Sequence, residues 1–216
     1  YHALIESLEE IAASAEKELS KTQVEIEPER KSHQPDGEFP GRIYAENLRA
    51  VQMKQQAVIT QLSQRALLSV DLQELLNEAC AHIAQTLSVD FCNVLEFVPE
   101  KQQMLFRASV GWEESMLRSS LDLEPDSQFL YVLSENQPIR IIELSKETRF
   151  RAAKILVEHE IVSGISVAIS GRSTAFGLLE AYSASHRVFT EDDMRFLQGV
   201  AHVLAAAIQH REVEDA

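Results

Sequence analysis

The sequence predicts an α+β domain with a mainly antiparallel sheet, preceded by a helical connector. Three observations carry this. Short strand-like runs alternate with helical ones and are joined by brief polar turns, which suits hairpin-like pairing. Apolar residues recur four and three apart, both at the start of the chain and again after residue 43. The last element is opened by Glu191, Asp192 and Asp193 and is apolar nearly all round at VLAAAI, as a helix that buries two faces must be.

In chain order, Tyr1, Ile5, Leu8, Ala12, Ala15, Leu19 and Thr22 form the first stripe. Residues 1–27 therefore read as an amphipathic helix, either a coiled-coil strand or the end of an upstream domain. Pro28, Pro35, Pro40, Gly37 and Gly41 make residues 28–42 a linker, because proline removes a backbone donor and glycine loosens φ. The second stripe, Tyr44, Leu48, Val51, Gln55, Val58 and Leu62, predicts a signalling and dimerisation helix over 43–65. Gln55 interrupts its seam, as a register-fixing polar residue would. Two packings fit this stripe: an amphipathic helix lying on its own domain, or a helix paired with a second copy.

Beyond Val70, Asp71 and Glu74 form a capping box for a helix whose apolar face is Leu72, Leu75, Leu76, Ala79, Ile83 and Leu87. Asp90 to Val98 and Met104 to Val110 read as paired strands, closed by Gly111. A helix over Asp126 to Glu135, a strand over Pro138 to Leu144 and a short helix over Phe150 to Glu160 follow. Strands Gly164 to Ile169 and Phe176 to Ser183 flank a turn at Gly171. Thr190 caps the last helix, which runs through Leu197, Val200, Leu204 and Ile208 to about Arg211, leaving 212–216 as its exit.

The 216 residues carry 20 Lys and Arg against 34 Asp and Glu, a net charge of −14. Nucleic-acid binding relies on basic side chains to displace phosphate counterions, so a nucleic-acid partner is excluded. Two cysteines supply neither a disulfide framework nor a four-thiolate zinc site. The longest apolar runs fall far short of the roughly 20 residues that span a bilayer. The chain opens at Tyr1, already in a helical pattern, and reads as a piece of a longer protein.

The run SGISVAISGRSTAFGLLEAYSASHRVFTEDDMRFLQGVAHVLAAAIQ, residues 163–209, resembles the C-terminal half of a GAF domain of the kind found in bacterial sensor kinases and cyclic-di-nucleotide enzymes. DSQFLYVL, QPIRIIEL and ETRF, followed by the helix ending EHEIVSGISV, match in order upstream, so the resemblance covers roughly residues 66–211. It implies a central antiparallel sheet with the terminal helices on one face and a small-molecule pocket on the other. It also implies a homodimer paired in parallel through those helices, with Leu48, Val51, Gln55, Val58, Leu62, Leu197, Val200, Leu204 and Ile208 at the seam.

Each chemistry of that family leaves residues that can be sought. Covalent bilin needs a thiol in the helix before the SGISV strand, and FRAAKILVEHEIV has none, so covalent bilin attachment is not expected. Cys80 and Cys92 lack the clustering of a thiol reductase, and Cys92 reads as a core thiol. Asn136 is followed by Gln137, which breaks the cyclic-nucleotide signature. The seven histidines form no metal-ligand set. His159 precedes the pocket strand and reads either as a ligand or haem contact or as a helix-end histidine.

Lys146, Arg149, Arg151 and Lys154 place four cations within nine residues of an acidic chain. Arg149, Arg151 and Lys154 form the candidate ligand-binding set with Phe129, Tyr131, Phe150 and His159, suited to a small anionic or planar molecule, the alternative being a solvated helix face. The cofactor stays unassigned. No nucleophile, base and oxyanion set can be assembled, so the fragment reads as non-enzymatic. The expected function is a cytoplasmic sensory and dimerisation module of a larger protein of the two-component histidine kinase type, with membrane anchoring of the parent left open. The alternatives are a degenerate GAF scaffold that binds no ligand, and a non-covalent tetrapyrrole or haem sensor.

Overall fold

The two apolar periods of the sequence, 3.6 and 2, resolve into layers of side chains on either side of one six-stranded sheet. A computed structural model describes residues 40–68, 71–117, 119–135, 137–172 and 174–214. The helix expected over residues 1–27 and the linker up to residue 39 lie outside the described residues. The elements are α1 (Pro40–Leu67), α2 (Leu72–Leu87), β1 (Phe91–Val98), β2 (Gln103–Val110), β3 (Ser120–Asp122), α3 (Gln128–Glu135), β4 (Ile139–Ile141), α4 (Lys154–Glu158), β5 (Ser163–Ser170), β6 (Ala175–Ser183) and α5 (Glu191–Glu214). Every pairing in the sheet is antiparallel, in the order β3-β2-β1-β6-β5-β4.

Local chemistry sets the element ends. Pro40 stands at the first position of α1, where a missing N–H costs no helical hydrogen bond, so residues 40–42 are helical rather than linker. The Asp71 carboxylate accepts from the N–H groups of Gln73 at 2.7 Å and Glu74 at 3.4 Å. At α5, Thr190 Oγ1 accepts from the Asp193 N–H at 3.2 Å, and Asp193 Oδ2 accepts from the Thr190 N–H at 3.0 Å.

Alternation divides the strands between two cores. On the outer face, Cys92 and Val94 of β1, Ile165, Val167 and Ile169 of β5, and Leu179 and Ala181 of β6 meet α1, α2 and α5. In that helical layer α1 runs parallel to α5, because partners ascend together: Gln52 donates to Asp192 at 2.9 Å, Gln55 donates to Asp193 at 3.0 Å, and Ile59 lies against Gly199. It runs antiparallel to α2, meeting Gln85, His82 and Glu78 in descending order from Lys54, Gln61 and Arg65.

This layer corrects the expected seam. Gln55, Val58, Leu62, Leu197, Val200, Leu204 and Ile208 are buried within their own chain, and only Leu48 (43% exposed) and Val51 (47%) remain open. Heptad spacing makes a stripe that needs covering but does not say by what, and here the domain covers it with itself. Gln55 keeps a register role, turned toward the α5 cap rather than toward a second copy.

Three elements depart from their predicted bounds. The strand expected over 138–144 shrinks to Ile139–Ile141, and the three-residue β3 had no periodic signal to reveal it. The helix expected over 150–160 contracts to Lys154–Glu158. There, the Arg151 N–H donates to the Asp126 carbonyl at 2.8 Å and the Arg151 carbonyl accepts from Gln128 at 3.0 Å, which holds that stretch extended. The same pairing delays α3 to Gln128.

Candidate functional site

The inner face of the sheet carries the second core: Leu95 of β1, Met104 and Phe106 of β2, Leu178 and Tyr182 of β6, covered by Trp112, Phe129, Val132, Phe150, Ile155 and Leu156. Above it lies a cleft of about 520 Å³ between β3 and the segment entering α4, within the range of small-molecule sites. Asp122, Glu124, Ser127, Phe129, Arg151, Lys154 and Ile155 are among its walls.

The sequence-predicted set is thereby divided. Phe129, Arg151 and Lys154 line this cleft. Arg149 lines a different one, of about 560 Å³, with Arg140, Lys146, Glu147 and Met194. Phe150 is buried in the inner core and packs on half-buried Tyr131 with ring centres 5.3 Å apart, while the Arg149 guanidinium stands 5.5 Å from the Phe150 ring and 6.0 Å from the Tyr131 ring. His159 lines neither cleft. Its Nδ1 donates to the Ile155 carbonyl at 2.9 Å and its ring packs on Phe91 and Trp112, which makes it a helix-end histidine and removes the expected ligand or haem contact.

The four cations do not converge. Lys146 pairs with Glu143 at 2.8 Å, Arg149 with Glu147 at 2.5 Å, Arg151 with Glu124, and Lys154 with Glu158 at 3.2 Å. Linear spacing placed positive charge together, but the fold meets each positive group with a carboxylate, so the support for an anionic ligand falls away. The most buried of these pairs has a structural effect. Glu147, 10% exposed, also accepts from the N–H groups of Thr148 and Arg149, and the Arg149 guanidinium beside it holds its carboxyl down at about 2. A carboxyl held below its unfolded value contributes stability above about pH 4.5 and loses it as the pH falls toward 2. Arg149 is 39% exposed, so solvent screening discounts the pair, and Glu147→Gln is expected to cost about 1 kcal/mol at pH 7. Denaturant midpoints compared across pH 2–7 check this: the gap between wild type and variant should close at the acid end.

One cluster went unpredicted. Asn93, Ser166 and Glu180 stand abreast on β1, β5 and β6, all on the inner face and all fully buried. Glu180 accepts from Asn93 Nδ2 at 2.9 Å, Ser166 Oγ at 2.8 Å and the Tyr182 hydroxyl at 2.7 Å, and that hydroxyl in turn accepts from Gln128 Nε2. Burial pushes the Glu180 carboxyl up against the pull of these donors, and pushes the Tyr182 hydroxyl well up as well. The available signal was a charged residue inside the apolar strand run LLEAY and an amide inside FCNVL. Cys92 faces the other core, where burial raises its thiol well above the ordinary value, as expected of an inert core cysteine. Among the described residues no cluster of His, Cys, Asp and Glu could hold a metal ion.

The family model for the GAF domain matches residues 71–208, from the cap of α2 to the last buried residue of α5. The chain belongs to the GAF domain family. Solved relatives share its fold. The GAF domain of an Acinetobacter phosphoenolpyruvate-protein phosphotransferase is 22% identical, with a TM-score of 0.65 over 74% of this chain and 95% of its own. A phycocyanobilin-bound GAF domain from a cyanobacterial phytochrome is 19% identical, with 0.62 over 74% and 96%. Residues 122 to 287 of a methyl-accepting chemotaxis protein are 20% identical, with 0.63 over 72% and 99%. A search of curated proteins finds no match. As a GAF domain the chain is a signalling and sensory module, and modules of this family are in general regulatory rather than catalytic. Among the described residues no helix of this GAF domain is long and apolar enough to cross a membrane.

Proposed function

We propose that this GAF domain is the sensory and dimerisation module of a larger cytoplasmic signalling protein of the two-component histidine kinase type. A small molecule enters from the inner-face cleft and shifts how the sheet sits against α1 and α5. The observation that supports this reading is the parallel arrangement of α1 and α5, tied at their N-terminal ends through Gln52–Asp192 and Gln55–Asp193, on the sheet whose other face carries the cleft. Parallel helices enter the layer at one end and leave at the other, so a change in their relative register passes along the chain. The sheet edge reaches the same helix start: Arg140 of β4 donates to the Phe189 carbonyl at 3.1 Å and lies 3.5 Å from Glu191. Such a relay works only if the ligand favours one helix arrangement over the other.

Self-association is assigned to the part of α1 that the domain leaves open. Residues 45–54 are exposed, and Leu48 and Val51 continue the buried stripe beyond the domain. Native mass spectrometry of protein purified from a bacterial host tests the function, with a dimer carrying a retained small molecule as the expected result. A clean apo mass would favour a second reading, a GAF scaffold for protein interaction. What favours that reading is the inner layer itself, filled by Phe106, Trp112, Phe129, Phe150 and Tyr182.

A further inference from the structure

Glu180 is 1% exposed, and no described Lys, Arg or His pairs with it. Its neighbours supply hydroxyl and amide donors, yet two acceptors anchored in the same network are left without a partner: Asn93 Oδ1 and Gln128 Oε1, both buried. Neither is relieved by turning the amide over. Asn93 would then present its oxygen to the Glu180 carboxylate, and Gln128 would present its oxygen to a hydroxyl whose proton already goes to Glu180. The cluster thus combines a carboxylate and two free amide oxygens inside an apolar layer, with no positive group to balance them. Gln128 is also the member of the cluster next in the chain to the cleft, since Ser127 and Phe129 on either side of it line the 520 Å³ space. At that mouth the Arg151 and Lys154 charges pair with Glu124 and Glu158, while the Asp122 carboxylate accepts from the amide of Gln103 and among the described residues forms no ion pair. The approach therefore does not repel a cation.

We propose that Glu180, Asn93 and Gln128 form the floor of the sensory site and that its ligand is a compact cationic nitrogen compound, a protonated amine or amidine. Its N–H groups meet the Glu180 carboxylate and the two free amide oxygens, and its apolar part lies against Phe129. Entry takes an outward swing of the Phe129 ring and the first turn of α3 into the cleft. This inference rests on the sensing function proposed above and narrows it to one ligand class.

Thermal unfolding of the full chain at constant ionic strength, with four probes matched in size, tests it: benzylamine and benzamidine as cations, benzoate as anion, benzyl alcohol as neutral. The two cations at millimolar concentration are expected to raise the wild-type melting temperature by a few degrees, and the other two to leave it unchanged. Glu180→Gln is expected to abolish the cation effect. Should that variant fail to fold, Gln128→Leu removes one amide oxygen while keeping the Asn93 and Ser166 bonds to Glu180, and is expected to weaken amine binding about tenfold. Equal stabilisation by benzoate or benzyl alcohol, or amine binding undiminished in the variants, overturns the proposal. If no probe binds and native mass spectrometry finds a retained neutral or anionic molecule, the ligand class is wrong and sensing stands. If no probe binds and the mass is clean, both fall.

Discussion

Leu204→Ala is expected to destabilise the domain by about 2–5 kcal/mol, read as a drop in denaturant midpoint relative to wild type that is the same at every protein concentration. Leu204 is fully buried between α5 and the sheet, in one core with Leu62 of α1, Ile83 of α2 and Val167 of β5. Truncating it removes apolar contact and leaves a cavity that the three helices and the strands can only partly close. The concentration test separates two origins of burial, since truncating a residue held at a dimer seam would give a loss that varies with protein concentration. Leu48→Ala, on the open stretch of α1, is the counterpart and is expected to change subunit stability by less than about 0.5 kcal/mol. A Leu204→Ala loss below about 1 kcal/mol, accompanied by dissociation, would restore the paired-helix reading of that position.

Gly177→Ala is expected to be at least as damaging, with a loss of about 3 kcal/mol or more. Gly177 lies on β6, opposite Glu96 of β1 and Ile169 of β5, at the centre of the sheet. A Cβ there would stand 1.8 Å from the Leu95 carbonyl oxygen, 2.8 Å from its carbon and 2.9 Å from Glu96 Cα. All three are backbone atoms, so relief means separating β1 from β6 and breaking their ladder, not rotating a side chain. Gly199→Ala on α5 makes the contrast: its Cβ would meet only the mobile end of the Ile59 side chain, at 2.7 Å, and alanine improves helix propensity by about 1 kcal/mol. Equilibrium unfolding of the two variants side by side should find Gly199→Ala near neutral. A Gly177→Ala protein of wild-type stability would mean that β1 and β6 are not paired in this register.

Both residues mark where sequence reasoning was sufficient and where it was not. Caps and strand alternation are short-range properties, so Asp71, Thr190 and the β1, β2, β5 and β6 runs were legible, and with them the antiparallel α+β architecture. The family was legible for a related reason: residues 163–209 carry two central strands and the terminal helix as one continuous run. The three-residue β3 was not, and β4 and α4 were legible only as longer elements, because the backbone groups there are satisfied by distant partners: Gln103 to Leu105 for β3, Gly164 to Ser166 for β4, and Asp126 with Gln128 for the stretch before α4.

The candidate site divided along the same line. Residue types along the chain identified Phe129, Arg151 and Lys154, which do share a cleft, but could not show that Glu124, 27 residues away, pairs with Arg151 or that Arg149 turns toward a different cleft. The sequence by itself determined that this chain has an amphipathic stripe to bury, an antiparallel sheet to bury it on and a GAF domain's order of elements. Only the tertiary structure decided that the stripe is covered by its own domain, that Arg151 pairs with Glu124 and that Glu180, Asn93 and Gln128 share one buried network. The physical reason is that periodicity, capping and pairs within one helical turn act over a few residues and are written locally, whereas burial and long-range pairing depend on which distant segments meet, here residues 27 apart for Glu124 and Arg151 and 87 apart for Asn93 and Glu180.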